Sequence, residues 1–325
     1  MTPAPVAAYP ADGPGRDRWI LARRPPRNRL DPRRAHAALV EDEPDEAGTV
    51  EAVAVVFLTN RECPWRCLMC DLWKNTLEEP VPPGAIPEQV REALAALPPA
   101  PALKLYNAGS FFDPRAIPPE DFEAVASLAR PFDRVIVEAH PALVGDACRR
   151  FRDLLGGRLE VAMGLETVHP EVLARLNKRM TVAQYDAAAA FLAAEGIAHR
   201  AFVLAGLPWL SEEDGLAAAR RSIAHAFDRG ASAVSIIPTR AGNGALDALA
   251  ADGVFAEPRL SVLEDAHDFG LSLGRGRAFA DLWDLERSSR CAACLPARRD
   301  RLALANRTQR VLPRTACRAC GDGPA

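Results

Sequence analysis

From residue 51 onward, short apolar runs alternate regularly with segments of helical periodicity. Strands that alternate with helices in this way form parallel βα units, so the pattern predicts an α/β fold. Right-handed crossovers leave two architectures, a doubly wound open sheet and a full or partial TIM-type barrel. Thr181 and Ser211 are suitable N-caps for two of the helices. The apolar runs lie at 51–59, 102–108, 134–139, 159–165, 199–207 and 233–239, and the helical segments lie at 87–97, 119–130, 144–155, 181–195 and 211–229.

The residues on either side of this alternation differ from it in composition. Residues 1–47 are rich in Pro, Arg and acidic residues, which indicates an extended N-terminal arm that is partly docked through Trp19, Ile20 and Leu21. Residues 48–274 contain the α/β core in this interpretation. Residues 275–325 are rich in Arg and Cys, and we interpret them as a small second module. The sequence therefore predicts one large domain with two distinct flanking segments.

The charge of the chain is distributed unevenly, although its formal net charge is only −3. Residues 14–34 carry eight Arg and two acidic residues, and residues 275–318 carry eleven Arg and four acidic residues. Basic ends on an acidic body favour an anionic partner, and the alternative is solvated surface charge.

Three cysteines, Cys63, Cys67 and Cys70, form a C-x3-C-x2-C group directly after the first predicted strand. In a parallel α/β sheet, the loops that follow the strands form the face where active sites assemble. A fully ligated 4Fe–4S cluster takes four thiolates, so three leave one iron open to the amino and carboxylate groups of S-adenosylmethionine (SAM). The alternative is a zinc site with a fourth ligand such as Cys148, although zinc sites favour paired C-x2-C knuckles.

This cysteine spacing resembles the signature of the radical SAM superfamily, and the resemblance extends through residues 51–240. It implies a partial (βα)6 barrel and a 4Fe–4S cluster held by the three cysteines. It also implies reductive cleavage of SAM to a 5′-deoxyadenosyl radical, with a reductant protein such as a flavodoxin or ferredoxin as electron donor.

The resemblance assigns further residues to the SAM site. Met69, beside the last cysteine, stands where members of the superfamily pack against adenine. Asn107, Gly109 and Ser110 stand in the turn that holds the SAM amino group, with Ser110 in place of an acidic residue. Glu138 ends the third predicted strand, where a polar residue meets the ribose or methionyl part of SAM.

Gly164 and Glu166, followed by Lys178, resemble a run found in the branch with the methylthiotransferases and the Elongator catalytic subunit. We predict that Glu166 hydrogen-bonds SAM or orders Lys178. Gly206 matches the turn on the adenine side. The runs YNAGSFFDP, EVAMGLET and VSIIPT are similar to the radical SAM subunit of archaeosine synthase and its bacterial relatives. This likeness implies a modified base in tRNA or other RNA as substrate.

A second group of cysteines, Cys291, Cys294, Cys317 and Cys320, forms two C-x2-C knuckles. This spacing is typical of a tetrahedral zinc ribbon, and the alternatives are an auxiliary 4Fe–4S cluster and disulfides. Basic ribbons often contact phosphate, so the tail is a candidate RNA-binding surface. The arginines around the ligands are Arg298, Arg299, Arg301, Arg307, Arg310, Arg314 and Arg318.

The sequence thus predicts a radical SAM enzyme that acts on RNA. The alternatives are the same chemistry on a small molecule or peptide, and a non-catalytic metal-binding protein. No apolar run approaches the roughly eighteen residues of a membrane helix, and no signal-peptide pattern is present. We therefore expect a cytoplasmic protein with reduced thiols and no membrane contact.

Overall fold

A single mixed sheet organises the protein, which a computed structural model describes at residues 8–156 and 158–320. Its eight strands lie in sequence order, with β1 antiparallel to β2 and every later pair parallel. The strands are β1 (Ala37–Pro44), β2 (Val50–Leu58), β3 (Ala102–Asn107), β4 (Arg134–Ala139), β5 (Arg158–Glu166), β6 (Ala198–Ala205), β7 (Ala233–Pro238) and β8 (Arg277–Ala280).

The sheet curls into a partial barrel, and helices cover its outer face. Two of the helices begin at the predicted caps: Thr181 forms a capping box with Gln184, and the Ser211 hydroxyl accepts from the Asp214 N–H. The helices are α1 (Gly13–Leu21), α2 (Ala85–Ala96), α3 (Phe122–Ala129), α4 (Asp146–Leu155), α5 (Pro170–Arg175), α6 (Val182–Ala194), α7 (Glu212–Asp228), α8 (Ala245–Ala251), α9 (Leu260–Ser272), α10 (Leu285–Ser288) and α11 (Leu295–Thr308).

The two faces of each strand have different roles, because successive side chains point to opposite sides of a sheet. In β6, Ala201 and Val203 belong to the core packed under the helices. Their neighbours Arg200 and Phe202 face the barrel interior and line a cavity, as does Lys104 of β3. The strands therefore bury charges inside the barrel although they read as nearly continuous apolar runs.

The N-terminal ends of the parallel strands are filled by a buried ion network around Glu43 and Glu160. Arg200 donates to both carboxylates and Arg277 lies within 3.4 Å of each, while Lys104 donates to Glu43. Burial alone would raise the pKa of Glu160, but Arg200 and Arg277 outweigh it and lower the pKa to about 2. Both carboxylates are thus ionised at neutral pH, and the network closes this end of the barrel.

The C-terminal segment covers the free edge of the sheet. Asn306 accepts from the Ala280 N–H at 2.8 Å and donates to its carbonyl at 2.9 Å. Gln309 makes the same pair of contacts with Ala278, at 2.8 and 3.1 Å. These two side-chain amides of the α11 region thus replace a ninth strand. Arg277, the first residue of β8, also donates to the carbonyl of Pro44, the last residue of β1, at 3.1 Å. This contact connects the two edge strands of the sheet.

The predicted partial barrel with a four-cysteine module is confirmed. The six predicted strands correspond to β2 through β7. The sequence did not predict β1 and β8, which lie in the segments interpreted as an arm and as a separate module. Strand β1 carries three acidic residues, and β8 has only four residues, so neither shows the pattern of a buried strand. The domain boundaries at 1–47, 48–274 and 275–325 stay a prediction.

Among the described residues, no helix combines the length and apolarity that a membrane crossing requires.

Candidate active site

The three cysteines of the first group lie in the loop after β2, at the C-terminal ends of the parallel strands. Cys63, Cys67 and Cys70 all line one cavity of about 770 Å³ inside the barrel mouth. Burial raises the pKa of Cys63 to about 12 and that of Cys70 to about 11, and it raises the pKa of Cys67 as well. These groups are neutral thiols until a metal displaces their protons.

Two asparagines from distant elements hold the backbone of this loop. Asn177 donates its side-chain amide to the Arg66 carbonyl at 2.8 Å. Asn243 donates to the Leu68 carbonyl at 2.7 Å and to the Cys70 carbonyl at 3.3 Å. Sequence reasoning assigned no role to Asn243, although a buried amide in the loop after β7 faces the same edge of the sheet. The loop therefore takes its shape from the fold as a whole.

The N-terminal segment also packs on the cysteine loop. Helix α1 buries Trp19 and Ile20, so this part of the predicted arm is not extended. Glu62, directly before the first cysteine, accepts from Arg24 at 2.7 Å and also from Arg27. These arginines are therefore engaged with the protein itself.

Glu166 and Lys178 form a buried ion pair in the cavity wall. Glu166 ends β5 with φ of 64°, next to a register shift between β5 and β6. Lys178 is flanked by Asn177 and Arg179, each with φ of 58°. A Cβ atom on Gly164 would collide with both charged groups, so glycine leaves room for the pair. Backbone strain of this kind persists where function requires it, and it supports the predicted ordering of Lys178 by Glu166.

Glu138 lies near the end of β4, half-buried in the wall of the cavity. Its carboxylate accepts from the Asn107 N–H at 3.0 Å. Burial raises the pKa of Glu138 to about 8, although the Asn107 N–H and Lys178 act in the opposite direction. The group is therefore mostly protonated at neutral pH and can donate a hydrogen bond into the cavity.

The predicted SAM-site residues fall into two sets. The residues that line the cavity together with the cysteines are Met69, Gly109, Glu138, Gly164, Glu166 and Lys178. Asn107, Ser110 and Gly206 do not line it. Ser110 is buried beside the Phe112 N–H, and Gly206 has φ of 77° and packs against Pro258.

Asn107 and Gly109 nevertheless shape the site. The side-chain oxygen and nitrogen of Asn107 are buried, and neither has a hydrogen-bond partner among the described residues. Gly109 has φ of 153°, and a Cβ atom there would approach the Cβ of Cys63 to 3.1 Å. Glycine thus lets the turn after β3 contact the cysteine loop, and Asn107 lies behind it with free hydrogen-bonding capacity.

Trp65 and His140 form a stacked wall beside the cysteines. Their ring centroids are 3.7 Å apart and nearly parallel. His140 Nδ1 accepts from the Ala142 N–H, so Nε2 carries the hydrogen and donates to the Lys178 carbonyl at 3.0 Å. Burial, together with the charge of Lys178, lowers the pKa of His140 to about 3. The ring is neutral and serves as a rigid part of the wall.

The second cysteine group converges on one point. The sulfur atoms of Cys291, Cys294, Cys317 and Cys320 all lie within 4.8 Å of one another. The pairs Cys291–Cys317 and Cys294–Cys320 are 3.9 and 3.6 Å apart. Backbone N–H groups of Ala319 and Cys320 lower the pKa of Cys317 to about 7. The arrangement is a candidate metal centre at the start of α11.

The sequence predicts a phosphate-binding surface from the arginines of this module, and for Arg298 and Arg301 that prediction is wrong. Their side chains are buried and donate to Glu264 at 2.6 Å and to Asp268 at 2.7 Å, respectively. A guanidinium enclosed in such ion pairs cannot reach an external phosphate, and it fastens the module to α9 instead. Among the seven arginines predicted to surround the ligands, Arg307, Arg310 and Arg318 are exposed.

Comparison with known proteins identifies the fold. No family model matches the chain. Archaeosine synthase subunit beta of Thermococcus kodakarensis is 30% identical over 129 residues, which are 38% of this chain and 40% of that protein. Methylornithine synthase (PylB), a radical SAM enzyme, superposes with a TM-score of 0.51 at 12% identity, over 70% of this chain and 64% of that one.

The archaeal Methanocaldococcus infernus Elp3 superposes with a TM-score of 0.49 at 15% identity, over 70% of this chain and 56% of that one. The chain spans less than two thirds of the length of each of these three proteins. The likeness to methylornithine synthase shows that the chain has the fold of a radical SAM enzyme, which is the fold that the resemblance read from the sequence implies.

We expect Glu138→Gln to change how stability depends on pH. Burial raises the pKa of Glu138 from 4.5 in the unfolded chain to about 8 in the folded protein. Between these two pH values the folded protein holds a proton that the unfolded chain has released. The free energy of unfolding therefore falls as the pH rises from 4.5 to 8. Glutamine removes this effect, which amounts to about 5 kcal/mol in total. Urea unfolding of both proteins at pH 5, 6, 7 and 8 measures it. Parallel stability curves would show that Glu138 titrates normally.

Proposed function

We propose that this chain, which has the fold of a radical SAM enzyme, binds a 4Fe–4S cluster through Cys63, Cys67 and Cys70 and cleaves SAM reductively. The observation that carries the proposal is the shared cavity, in which three thiols face Glu138 and the Glu166–Lys178 pair. When bound, the cluster would supply one electron to SAM, whose C–S bond then breaks to give a 5′-deoxyadenosyl radical.

The residues that line the cavity fit both a 4Fe–4S cluster and SAM. Within the described part of the chain, the second cysteine group is the one set of metal-binding side chains whose ligand atoms lie within 4.8 Å of each other. The sulfurs of the first group are spread more widely, as thiolates bound to separate irons of a cluster must be. A cavity of about 770 Å³ has the size of an ordinary cofactor site.

The chain's own side chains would hold and orient SAM. Lys178 uses one N–H on Glu166 and keeps two for an anionic group such as the SAM carboxylate. Protonated Glu138 can donate to an oxygen of the ligand, and its ionised form could only accept. The stacked rings of Trp65 and His140 exclude water from one side of the cysteines, which protects a reactive intermediate.

For the substrate we propose a base in RNA. The similarity to archaeosine synthase subunit beta supports this class. The rim of the cavity supports it as well, because Trp283 is 60% exposed there and the exposed Arg307 lies on the same rim. An exposed indole can stack on a base and a free guanidinium can bind phosphate, and these two contacts dominate binding to single strands.

For the four-cysteine site we propose zinc. A tetrahedral ion with Zn–S bonds of 2.3 Å places its sulfurs ~3.8 Å apart. The two sulfur pairs at 3.9 and 3.6 Å match this spacing. An auxiliary cluster would hold its thiolates on four different irons, and the sulfurs would lie further apart.

The cluster proposal is tested by replacing Cys63, Cys67 and Cys70 together with Ala. The anaerobically reconstituted variant should lose about four irons per chain, because the cluster loses its protein ligands. It should also form no 5′-deoxyadenosine under reducing conditions. Cys148→Ala is the matched control, since this buried thiol belongs to neither cysteine group. Formation of 5′-deoxyadenosine by the triple variant would refute the proposal.

The zinc proposal is tested by metal analysis of the same triple variant. About one zinc per chain should remain, and the further change Cys317→Ala should remove it, because a structural site needs all four ligands. Iron and sulfide at this site in place of zinc would identify an auxiliary cluster.

The substrate proposal is tested by RNA binding at several salt concentrations. Arg307→Gln should reduce the slope of log affinity against log salt by about one, and Trp283→Ala should weaken binding ~10-fold or more. Arg299→Gln is the control, because Arg299 is paired with Glu286 and lies off the rim. If the unaltered protein does not bind RNA at low salt, a small-molecule or peptide substrate is favoured.

A further inference from the structure

A cluster of charged side chains lies directly against the first cysteine loop, and the N-terminal segment provides part of it. Glu62 precedes the first cysteine, and its carboxylate contacts the guanidinium groups of Arg24, Arg27 and Arg66. Arg24 and Glu62 line the same cavity as Cys63 and Cys70. The segment is fixed on this surface by the Asn28 N–H, which donates to the Lys74 carbonyl at 2.9 Å.

The net charge of this group is positive. Two carboxylates, Glu62 and the exposed Glu78, face three guanidinium groups, which leaves one positive charge beside the thiols. The other cation of the cavity near the cysteines, Lys178, is paired with Glu166 and adds little net charge. A binding site for three thiolates therefore has an excess of positive charge on the side of the N-terminal segment.

Of these three arginines, Arg24 has the charge that solvent screens least, so it should have the largest electrostatic effect on a cluster bound by the cysteines. Its side chain is 7% exposed, whereas those of Arg27 and Arg66 are 25% and 24% exposed. Solvent therefore screens the other two charges more strongly. The Arg24 guanidinium lies 4.5 Å above the Trp73 ring, and its buried Nε has no hydrogen-bond partner among the described residues.

We propose that Arg24 tunes the cluster: its buried positive charge raises the reduction potential of a 4Fe–4S cluster held by Cys63, Cys67 and Cys70. The inference rests on the proposed function. Reduction adds one electron to a cluster whose thiolates already carry negative charge, so a nearby cation stabilises the reduced state. The effect is strong where the dielectric response is low, and net charge is a known determinant of cluster potentials. Arg24 is thus proposed to act on the electron transfer through its charge.

The experiment is a redox titration of the reconstituted full-length protein, followed by the electron paramagnetic resonance signal of the reduced cluster. Arg24→Gln should lower the ratio of reduced to oxidised cluster about tenfold at a fixed potential, which is ~59 mV for one electron. Arg24→Lys, which keeps the charge, should stay close to the unaltered protein. Glu62→Gln removes a negative charge and should move the midpoint in the opposite direction. Arg33→Gln is the control in the same segment, since Arg33 pairs with Glu88 away from the cavity.

Opposite shifts for Arg24→Gln and Glu62→Gln, with iron content unchanged, would establish the electrostatic role. Equal midpoints, or shifts of the same sign in both variants, would overturn it, because damage to the loop does not depend on the sign of the charge removed. If Arg24→Gln does not retain iron, Glu62→Gln decides: a raised midpoint, with Arg24→Lys close to the unaltered protein, supports the electrostatic role, and an unchanged or lowered midpoint overturns it. If the unaltered protein binds no cluster, the proposed function and this inference fail together. If it binds one and cleaves SAM while all midpoints coincide, this inference alone fails.

Discussion

The buried ion network at the N-terminal end of the barrel is the interaction on which the rest of the structure depends. Glu43 and Glu160 are enclosed by cations from β3, β4, β6 and β8, so one layer of charge connects strands that are far apart in the sheet. Removing one partner from such a layer leaves an uncompensated buried charge, which is costly. Because charges fill this end, the interior of the barrel is available to a ligand mainly on the side of the loops that follow the strands, where the cysteines lie.

The cysteine loop depends on contacts from three other parts of the chain. Asn177 lies after α5, Asn243 lies after β7, and the arginines on Glu62 come from the N-terminal segment. The positions of the thiols are therefore set by tertiary structure, although their spacing is local in sequence. This explains why the segment before the barrel packs against the site, and why its charge can influence the chemistry there.

The sequence was informative where physical patterns are local. Alternating periodicity predicted β2 through β7, and the spacing of the two cysteine groups predicted two separate sites. The pattern failed for β1, because acidic residues interrupt its apolar run, and for β8, because it is only four residues long. Charge alone also could not distinguish Arg298, which is buried against Glu264, from Arg307, which is exposed on the rim. Burial depends on partners elsewhere in the chain, and one sequence does not reveal them.

The contacts of Asn306 and Gln309 with β8 have a consequence for the behaviour of the protein in solution. The helix that carries Asn306 begins directly after Cys294, so the candidate metal centre and the cover of the sheet edge belong to one short element. The buried pairs Arg298–Glu264 and Arg301–Asp268 hold the same element against α9. Without the two side-chain amides, the N–H groups of Ala278 and Ala280 would be unpaired, and this edge would become a template for a strand from another molecule.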